Sequence, residues 1–319
     1  MVSVVIPTYN AGRYLVDAVV SALRQDVDKE LIIVNDCSGD GSVDMLVKYL
    51  REEYVVLERA IRTESDNENN DSNTGSNETI NNGSKENGAD NIYSDAVLKY
   101  HLVIKPDLGD EDIDDDIWVE DGKGVHLRIF DNLKNAGVAA TRNYGVRAAE
   151  GEYIAFLDAD DKWRDGKLAR QIRMIEKTGA VLCNTSRELV NPDGSSARTV
   201  IGTPAKITLK QLEKTNYINC SSVLIRRDVA IKYPMEHSDA HEDYLTWLRI
   251  LREYEYVVGI NEPLMEYRLT AGGKSRNKLR AAKMTYRTYC YAGYGRLKSA
   301  VMMAAYTWNG IRKYKFGNN

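Results

Sequence analysis

Residues 153–161 read YIAFLDADD. Tyr153 to Leu157 is an apolar run of strand length, and three carboxylates, Asp158, Asp160 and Asp161, follow it directly. A short apolar run bounded by turn residues reads as a buried strand. Like charges this close repel, and burying them unpaired is costly. They need a cation, a salt-bridge partner or water. In an open parallel sheet, ligands bind beyond the carboxyl ends of the strands. Hard divalent cations such as Mg²⁺ and Mn²⁺ take carboxylate oxygens there and bridge to phosphates. A helix start, where acids suit the first turn, is the alternative that the triplet alone leaves open.

The flanking sequence supplies the sheet. Val2 to Ile6 is a β-branched run closed by Pro7, and Leu31 to Val34 is a second run closed by Asn35-Asp36. Between them, Asn10 is placed to cap a helix carrying Tyr14, Leu15, Ala18, Val19, Ala22 and Leu23 at helical spacing. With a further helix from about Ser42 to Tyr49, the order is βαβα, which implies parallel strands with crossover helices. The alternation resumes with a strand at 127–130, a helix over 138–149, the strand 153–157 and a helix over 163–177.

Between these blocks the pattern breaks. Residues 62–91 are rich in Asn, Ser, Gly and acids and nearly free of large apolar residues, so disorder is expected there. The whole of 58–125 reads as an insertion, ordered in part at its C-terminal side. Beyond residue 181 the spacing predicts two strands around the turn Asn191-Pro192-Asp193-Gly194 and a short helix capped by Thr208. A strand at 223–225, a helix over 242–254 and two C-terminal helices, 277–290 and 293–314, follow.

Composition narrows the class. At 43% hydrophobic and 28% charged residues over 319 positions, the chain has enough apolar mass for a soluble globular core. A net charge of -4 gives no general argument for nucleic-acid binding. Cys37, Cys183, Cys220 and Cys290 form no CxxC pair, so neither a zinc ribbon nor a disulfide framework is expected. The opening MVSVVIPTYN has no signal-peptide pattern, and no run reaches the roughly 18 apolar residues of a membrane span. A cytoplasmic location is the resulting expectation.

Three predicted strand ends carry polar groups to one edge: Pro7-Thr8-Tyr9-Asn10, Asn35-Asp36 and the Asp158–Asp161 cluster. Other nucleotide-site patterns lack their parts. There is no GxxxxGK[ST] phosphate loop, and no GxGxxG opens the first helix. His237 and His241, four apart, have the spacing of a zinc pair but lack the inner Glu of HExxH.

Four segments, VSVVIPTYNAGRYL, LIIVNDCSGDGS, NAGVAATRNYGVRAAEGEYIAFLDADD and HEDYLTWLRI, together resemble the family-2 glycosyltransferases. The segment NEPLMEYRLTAGGKSRNKLRAAK is most similar to bacterial enzymes of teichuronic-acid, capsule and exopolysaccharide assembly. The resemblance covers nearly all the chain except 58–125. It implies an α/β chain with the GT-A fold, a Rossmann-like nucleotide-sugar-binding architecture. Its central sheet would be mostly parallel, with helices on both faces. A catalytic domain would span 1–270, and a helical extension 271–319.

The resemblance also implies roles. Pro7, Thr8 and Tyr9 line the nucleotide pocket, and Asp36 accepts a hydrogen bond from uracil. Only Asp36 is carried over from a motif that often reads Asp-Asp, since this chain has Asn35 there. Arg142 lies near the base or diphosphate and Asp158 holds the ribose. Asp160, in the Asp-x-Asp motif, binds Mn²⁺ or Mg²⁺, and Asp161 is a weaker candidate for the same task. Asp243 is the base of an inverting transfer, with Glu242 orienting or substituting for it. Two acids in a first helical turn would also suit the helix dipole, a purely structural alternative.

The implied donor is a UDP-sugar and the implied acceptor a glycan or a lipid-linked oligosaccharide. A sugar nucleotidyltransferase and a non-catalytic nucleotide- or sugar-binding protein are the rival readings. Tyr267-Arg268 with Gly272 to Arg276 reads as a basic, flexible patch able to close over the diphosphate, or as a solvated loop. The basic, Tyr-rich C-terminal helices suit a membrane surface, or equally a packing or dimer contact.

Overall fold

The computed structural model describes residues 1–54, 56–58, 94–104, 124–270 and 278–316. The strands are β1 (Val2–Thr8), β2 (Lys29–Asn35), β3 (Val56–Glu58), β4 (Ala96–Ile104), β5 (Val125–Asn132), β6 (Tyr153–Phe156), β7 (Lys162–Trp163), β8 (Leu182–Val190), β9 (Ser196–Ile201), β10 (Lys206–Ile207), β11 (Leu224–Arg226) and β12 (Val257–Arg268). The helices are α1 (Tyr14–Leu23), α2 (Ser42–Glu53), α3 (Val138–Ala148), α4 (Lys167–Thr178), α5 (Leu209–Leu212), α6 (Arg227–Lys232), α7 (Glu242–Glu253), α8 (Lys278–Tyr291) and α9 (Arg296–Phe316).

Among the described residues the strands form one sheet in the order β10-β12-β8-β11-β6-β1-β2-β5-β4-β3, with β7 beside β12 and β9 beside β8. The block β6-β1-β2-β5 is parallel throughout. Antiparallel pairings extend it on both sides, through β11 on β6 and β4 on β5. The sheet as a whole is therefore mixed, with a parallel centre and a further parallel pair, β8 with β12, toward one edge.

Alternation along the central strands sorts two cores. Val4, Ile6, Leu31 and Ile33 pack with α1, α2 and α4, whereas Val5, Ile32, Val34 and Phe156 pack with α3, α6 and α7. Burial on both faces is why these strands read as continuous apolar runs. The chain leaves β1 toward β2 and returns to its other side as β6. This reversal opens a crevice at the carboxyl ends of β1 and β6, the position where open α/β sheets bind ligands. Gly145 lets α3 lie close on β1, since a Cβ there would stand 2.4 Å from Val5 Cγ1.

Several local expectations change. Asn10 does not cap α1, which begins four residues later. It takes a left-handed φ of 49° instead, and its Oδ1 accepts from Gly39 N–H at 2.9 Å, tying the loop after β1 to the loop after β2. Trp163 is not helical. It forms β7 opposite Met265, and its indole Nε1 donates to Ser221 O at 2.7 Å. The long strand β12 was not foreseen, because Gly259, Asn261 and Pro263 interrupt its alternation and shift its register on β8. Strand β4 lies within the span 58–125 and pairs along its length with β5. The low-complexity span 62–91 and Gly272 to Arg276 lie outside the described residues. Among the described residues no helix is long and apolar enough to cross a membrane.

Candidate active site

The three polar strand ends converge. Pro7 and Thr8 finish β1 opposite Val34 and Asn35 of β2. Thr8 is buried and its carbonyl accepts from Asp36 N–H at 2.8 Å. Tyr9, the next residue, is 57% exposed.

Asp36 is buried, and its own protein occupies it. Its carboxylate accepts from Asn132 Nδ2 at 2.7 Å, Ala136 N at 2.7 Å and Gly137 N at 2.9 Å, while Asn135 Nδ2 reaches its carbonyl at 3.1 Å. A carboxylate has about four lone-pair directions, so little capacity is left. The contacts fasten the loop 132–137 beneath the start of α3, where Gly137 holds φ 82°. Asn132, Asn135 and Gly137 were not singled out as site residues. The run Asn135-Ala136-Gly137 was the signal that could have found them.

Arg142 joins two other predicted residues. It projects from α3, is nearly inaccessible to solvent, and donates to Asp158 Oδ1 at 2.5 Å and to Glu242 Oε1 at 3.2 Å. Burial opposes its charge, but Asp158 and Glu242 hold the guanidinium well above its ordinary pKa. One cation thus connects the end of β6 to the start of α7, which lies one hundred residues from Arg142 in sequence.

The three acids of the cluster separate by environment. Asp158 keeps 28% of its side chain exposed. Its N–H donates to Ser221 Oγ at 3.0 Å, and that hydroxyl donates to Asp161 Oδ2 at 2.6 Å. Asp161 is 1% exposed and also accepts from Arg268 N at 3.1 Å. Burial, then the charges of Asp160 and Asp158, push its carboxyl well above the usual carboxylate range. Asp161 is therefore engaged within the fold. Asp160 is half-buried and accepts from Thr270 Oγ1 at 3.2 Å. Its carboxyl is raised by burial and by Asp158.

Arg268 is not part of a flexible patch. It is 5% exposed, with Nε donating to Asp160 O at 3.0 Å, Nη1 to Pro192 O at 3.1 Å and Nη2 to Asp17 Oδ2 at 3.2 Å. Its guanidinium lies 4.6 Å from the centroid of Tyr14. Tyr267, packed beneath Arg187, is equally fixed. Together these bonds set the conformation of the Asp160-Asp161 turn.

A divalent cation fits the donors Asp158 and Asp160 in one respect. Their neighbouring charges raise the Asp160 pKa, and a cation would relieve that repulsion. Among the described residues no group of three or more His, Cys, Asp or Glu stands ready to hold a metal. An ion here would take its remaining oxygens from a bound diphosphate and water.

Helix α7 opens on the predicted base. Glu242 is buried and paired with Arg142. Asp243 is half-buried, and its Oδ1 accepts from Tyr244 N at 2.7 Å. Burial and the adjacent charge of Glu242 raise the Asp243 carboxyl, moving it toward the range useful to a general base. His237 stacks on Tyr291 at 3.7 Å, and His241 places Nε2 3.4 Å from Ala281 O, so the two rings serve the contact with α8.

Behind the cluster lies a buried lysine the sequence did not flag. Lys167 Nζ donates to Gln171 Oε1 at 2.8 Å and sits 4.2 Å from the Trp163 ring centroid. Burial pushes its amine down to about 7. Gln171 passes the connection on to Cys183 O and Ser222 O, next to Ser221.

The sequence model described as Glycosyl transferase family 2 matches residues 3–65 and 115–233, which include every one of these strand ends. The chain belongs to glycosyl transferase family 2. Within the family, a protein of Bacillus subtilis (strain 168) named as a teichuronic acid biosynthesis glycosyltransferase, TuaG, is 29% identical over 98% of this chain and 97% of its own length. The Escherichia coli UDP-Glc:alpha-D-GlcNAc-diphosphoundecaprenol beta-1,3-glucosyltransferase WfgD is 30% identical over 60% of this chain and 74% of its own. Among solved structures, S. aureus TarS 1-349 in complex with UDP-GlcNAc has a TM-score of 0.58 at 14% identity, covering 99% of this chain and 73% of that one. The mannosyltransferase PcManGT of Pyrobaculum calidifontis, in complex with GDP-Man and Mn²⁺, has a TM-score of 0.55 at 13% identity, covering 100% and 76%. These two likenesses show the GT-A fold.

Proposed function

We propose that this chain is an inverting glycosyltransferase that moves a sugar from a UDP-sugar to a glycan or lipid-linked acceptor in bacterial surface-polysaccharide synthesis. The Arg142 bridge carries the reading. It draws the donor-side acid Asp158 and the acceptor-side helix start at Glu242 into one site. The TuaG and WfgD relationships favour a glycan-building role, and WfgD by name takes a UDP-linked donor and a diphosphoundecaprenol-linked acceptor. The catalytic unit is residues 1–270, the helical extension 271–319, and the place of action the cytoplasmic face of the membrane.

In the proposed reaction Asp243 takes the proton of the acceptor hydroxyl as that oxygen attacks the anomeric carbon. The sugar–phosphate bond breaks on the opposite face, and UDP leaves with its electrons. Asp160 would hold Mn²⁺ or Mg²⁺, which would neutralise charge on the departing diphosphate, and Asp158 would hold the ribose. Glu242, held by Arg142, fixes the start of α7 and raises the basicity of Asp243. Pro7, Thr8 and Tyr9 form the nucleotide wall, and Asp36 shapes it through the loop 132–137.

The test is UDP release across a panel of UDP-sugars with and without Mn²⁺. Release with at least one donor is expected, abolished by chelation and restored by Mn²⁺. Asp243→Asn is expected to slow acceptor-dependent transfer by about 10²–10⁴-fold while UDP binding persists. Silence with every donor rejects the enzyme reading, and full activity in Asp243→Asn rejects the base.

A further inference from the structure

Helix α9 has two apolar sides. Met302, Met303 and Tyr306 pack against the core shared by α7 and α8. On the opposite side Leu297, Val301 and Trp308 are 82%, 63% and 65% exposed, with the exposed Ala304 between them. At about 100° per residue these four fall within roughly 60° of one another, so they form a single stripe along the helix. Leu279, at the start of α8, is 86% exposed as well. Exposed Arg296 and Lys298 flank the stripe at its first turn.

The charge of this region is distinct from that of the rest. From Tyr267 to the C-terminus the sequence holds twelve of the chain's 43 Lys and Arg and no Asp or Glu, leaving 31 basic against 47 acidic residues before it. An all-basic segment on a net acidic protein repels a second copy of itself and attracts an anionic surface. An apolar stripe bearing Trp and Leu with cationic flanks is the pattern of a helix lying in a lipid interface.

We infer that α9, with the start of α8, is a docking surface for an anionic lipid bilayer. Leu297, Val301 and Trp308 enter the headgroup boundary, while Arg296 and Lys298 meet the lipid phosphates. The protein is held at the surface without spanning it, in keeping with the absence of a helix of spanning character among the described residues. The inference deepens the lipid-linked-acceptor reading, since an enzyme held at the bilayer meets such an acceptor in two dimensions.

Flotation of the full chain with vesicles, without any donor sugar, tests the surface. Binding to phosphatidylcholine vesicles containing phosphatidylglycerol is expected, with little binding to phosphatidylcholine alone. The double substitution Leu297→Glu/Val301→Glu is expected to lower the bound fraction at least tenfold with an unchanged circular dichroism spectrum. Arg296→Glu/Lys298→Glu is expected to reduce binding and to flatten its salt dependence. No flotation, equal flotation on neutral vesicles, or unaltered binding by both variants overturns the proposal. So does a dimer in lipid-free sedimentation that the Leu297/Val301 substitutions dissociate, which would assign the stripe to a second copy. A chain that floats yet releases no UDP rejects the catalytic reading and leaves this one standing; a chain that turns over but does not float does the reverse.

Discussion

Arg142 sits between Asp158 and Glu242 with almost no solvent contact, and each of the three charges depends on the others. Removing one member of a buried ion pair leaves a charge uncompensated, at a cost of about 3–5 kcal/mol. Arg142→Met is accordingly expected to lower unfolding free energy by that amount in urea denaturation. Arg142→Lys recovers only part of it, because an ammonium cannot reproduce the two-pronged geometry.

Lys167 poses the inverse case, a buried cation with no carboxylate partner in contact among the described residues. Its amine titrates at about 7 in the fold against an ordinary 10.5. Between those values the unfolded chain holds the proton and the folded chain does not, so the lysine's contribution to stability rises with pH across that window. Below it, both states are protonated and the full burial cost is felt. Lys167→Met should stabilise the protein by about 1–4 kcal/mol near pH 6, and the gain should shrink toward pH 10 when unfolding is compared at both values.

The contact of α3 with β1 aims Arg142 from one side of the crevice. Gly145 makes that contact possible, since any Cβ there would collide with Val5 in the middle of β1. Gly145→Ala should cost about 1–3 kcal/mol by overpacking, read as a lower thermal midpoint, and should also slow UDP release by displacing Arg142. The elements that position the site were largely legible. β1, β2 and β6 announce themselves as short continuous apolar runs bounded by turn residues. What escaped was β12, whose Gly, Asn and Pro residues break the period where it bends across β8. Trp163 was misread for a related reason: its apolar character fits a helix face, but a two-residue strand claims it through pairing with Met265.

Arg268 links parts of the molecule that are distant in sequence: Asp17 on α1, the turn at Pro192, the end of β12 and the Asp160-Asp161 turn. Through these bonds the whole fold sets the place of the Asp160 carboxylate. Arg268→Lys keeps the charge but loses most of the fork. On the proposed metal role of Asp160, the variant should raise the Mn²⁺ concentration needed for half-maximal UDP release about 10–100-fold, the usual effect of removing a group that holds a metal ligand in place. A merely structural role would lower thermal stability and leave the metal titration unmoved.

The sequence by itself determined the central strands β1, β2, β5 and β6 and the edge where the polar residues gather. Apolar period and the crowding of like charges are local properties, and they need no knowledge of neighbours. It also placed Asp36, Arg142, Asp158, Asp160, Glu242 and Asp243 near that edge, with help from the family they resemble. Only the tertiary structure decided what each carboxylate is free to do. Asp161 is taken up by Ser221 and Arg268, Asp36 by the loop at Asn132 to Gly137, and Glu242 by Arg142. Asp158, Asp160 and Asp243 are only partly buried and keep a side open to solvent. The difference lies in hydrogen-bond donors 60 to 107 residues away, and the folded chain alone brings donors that far apart within reach.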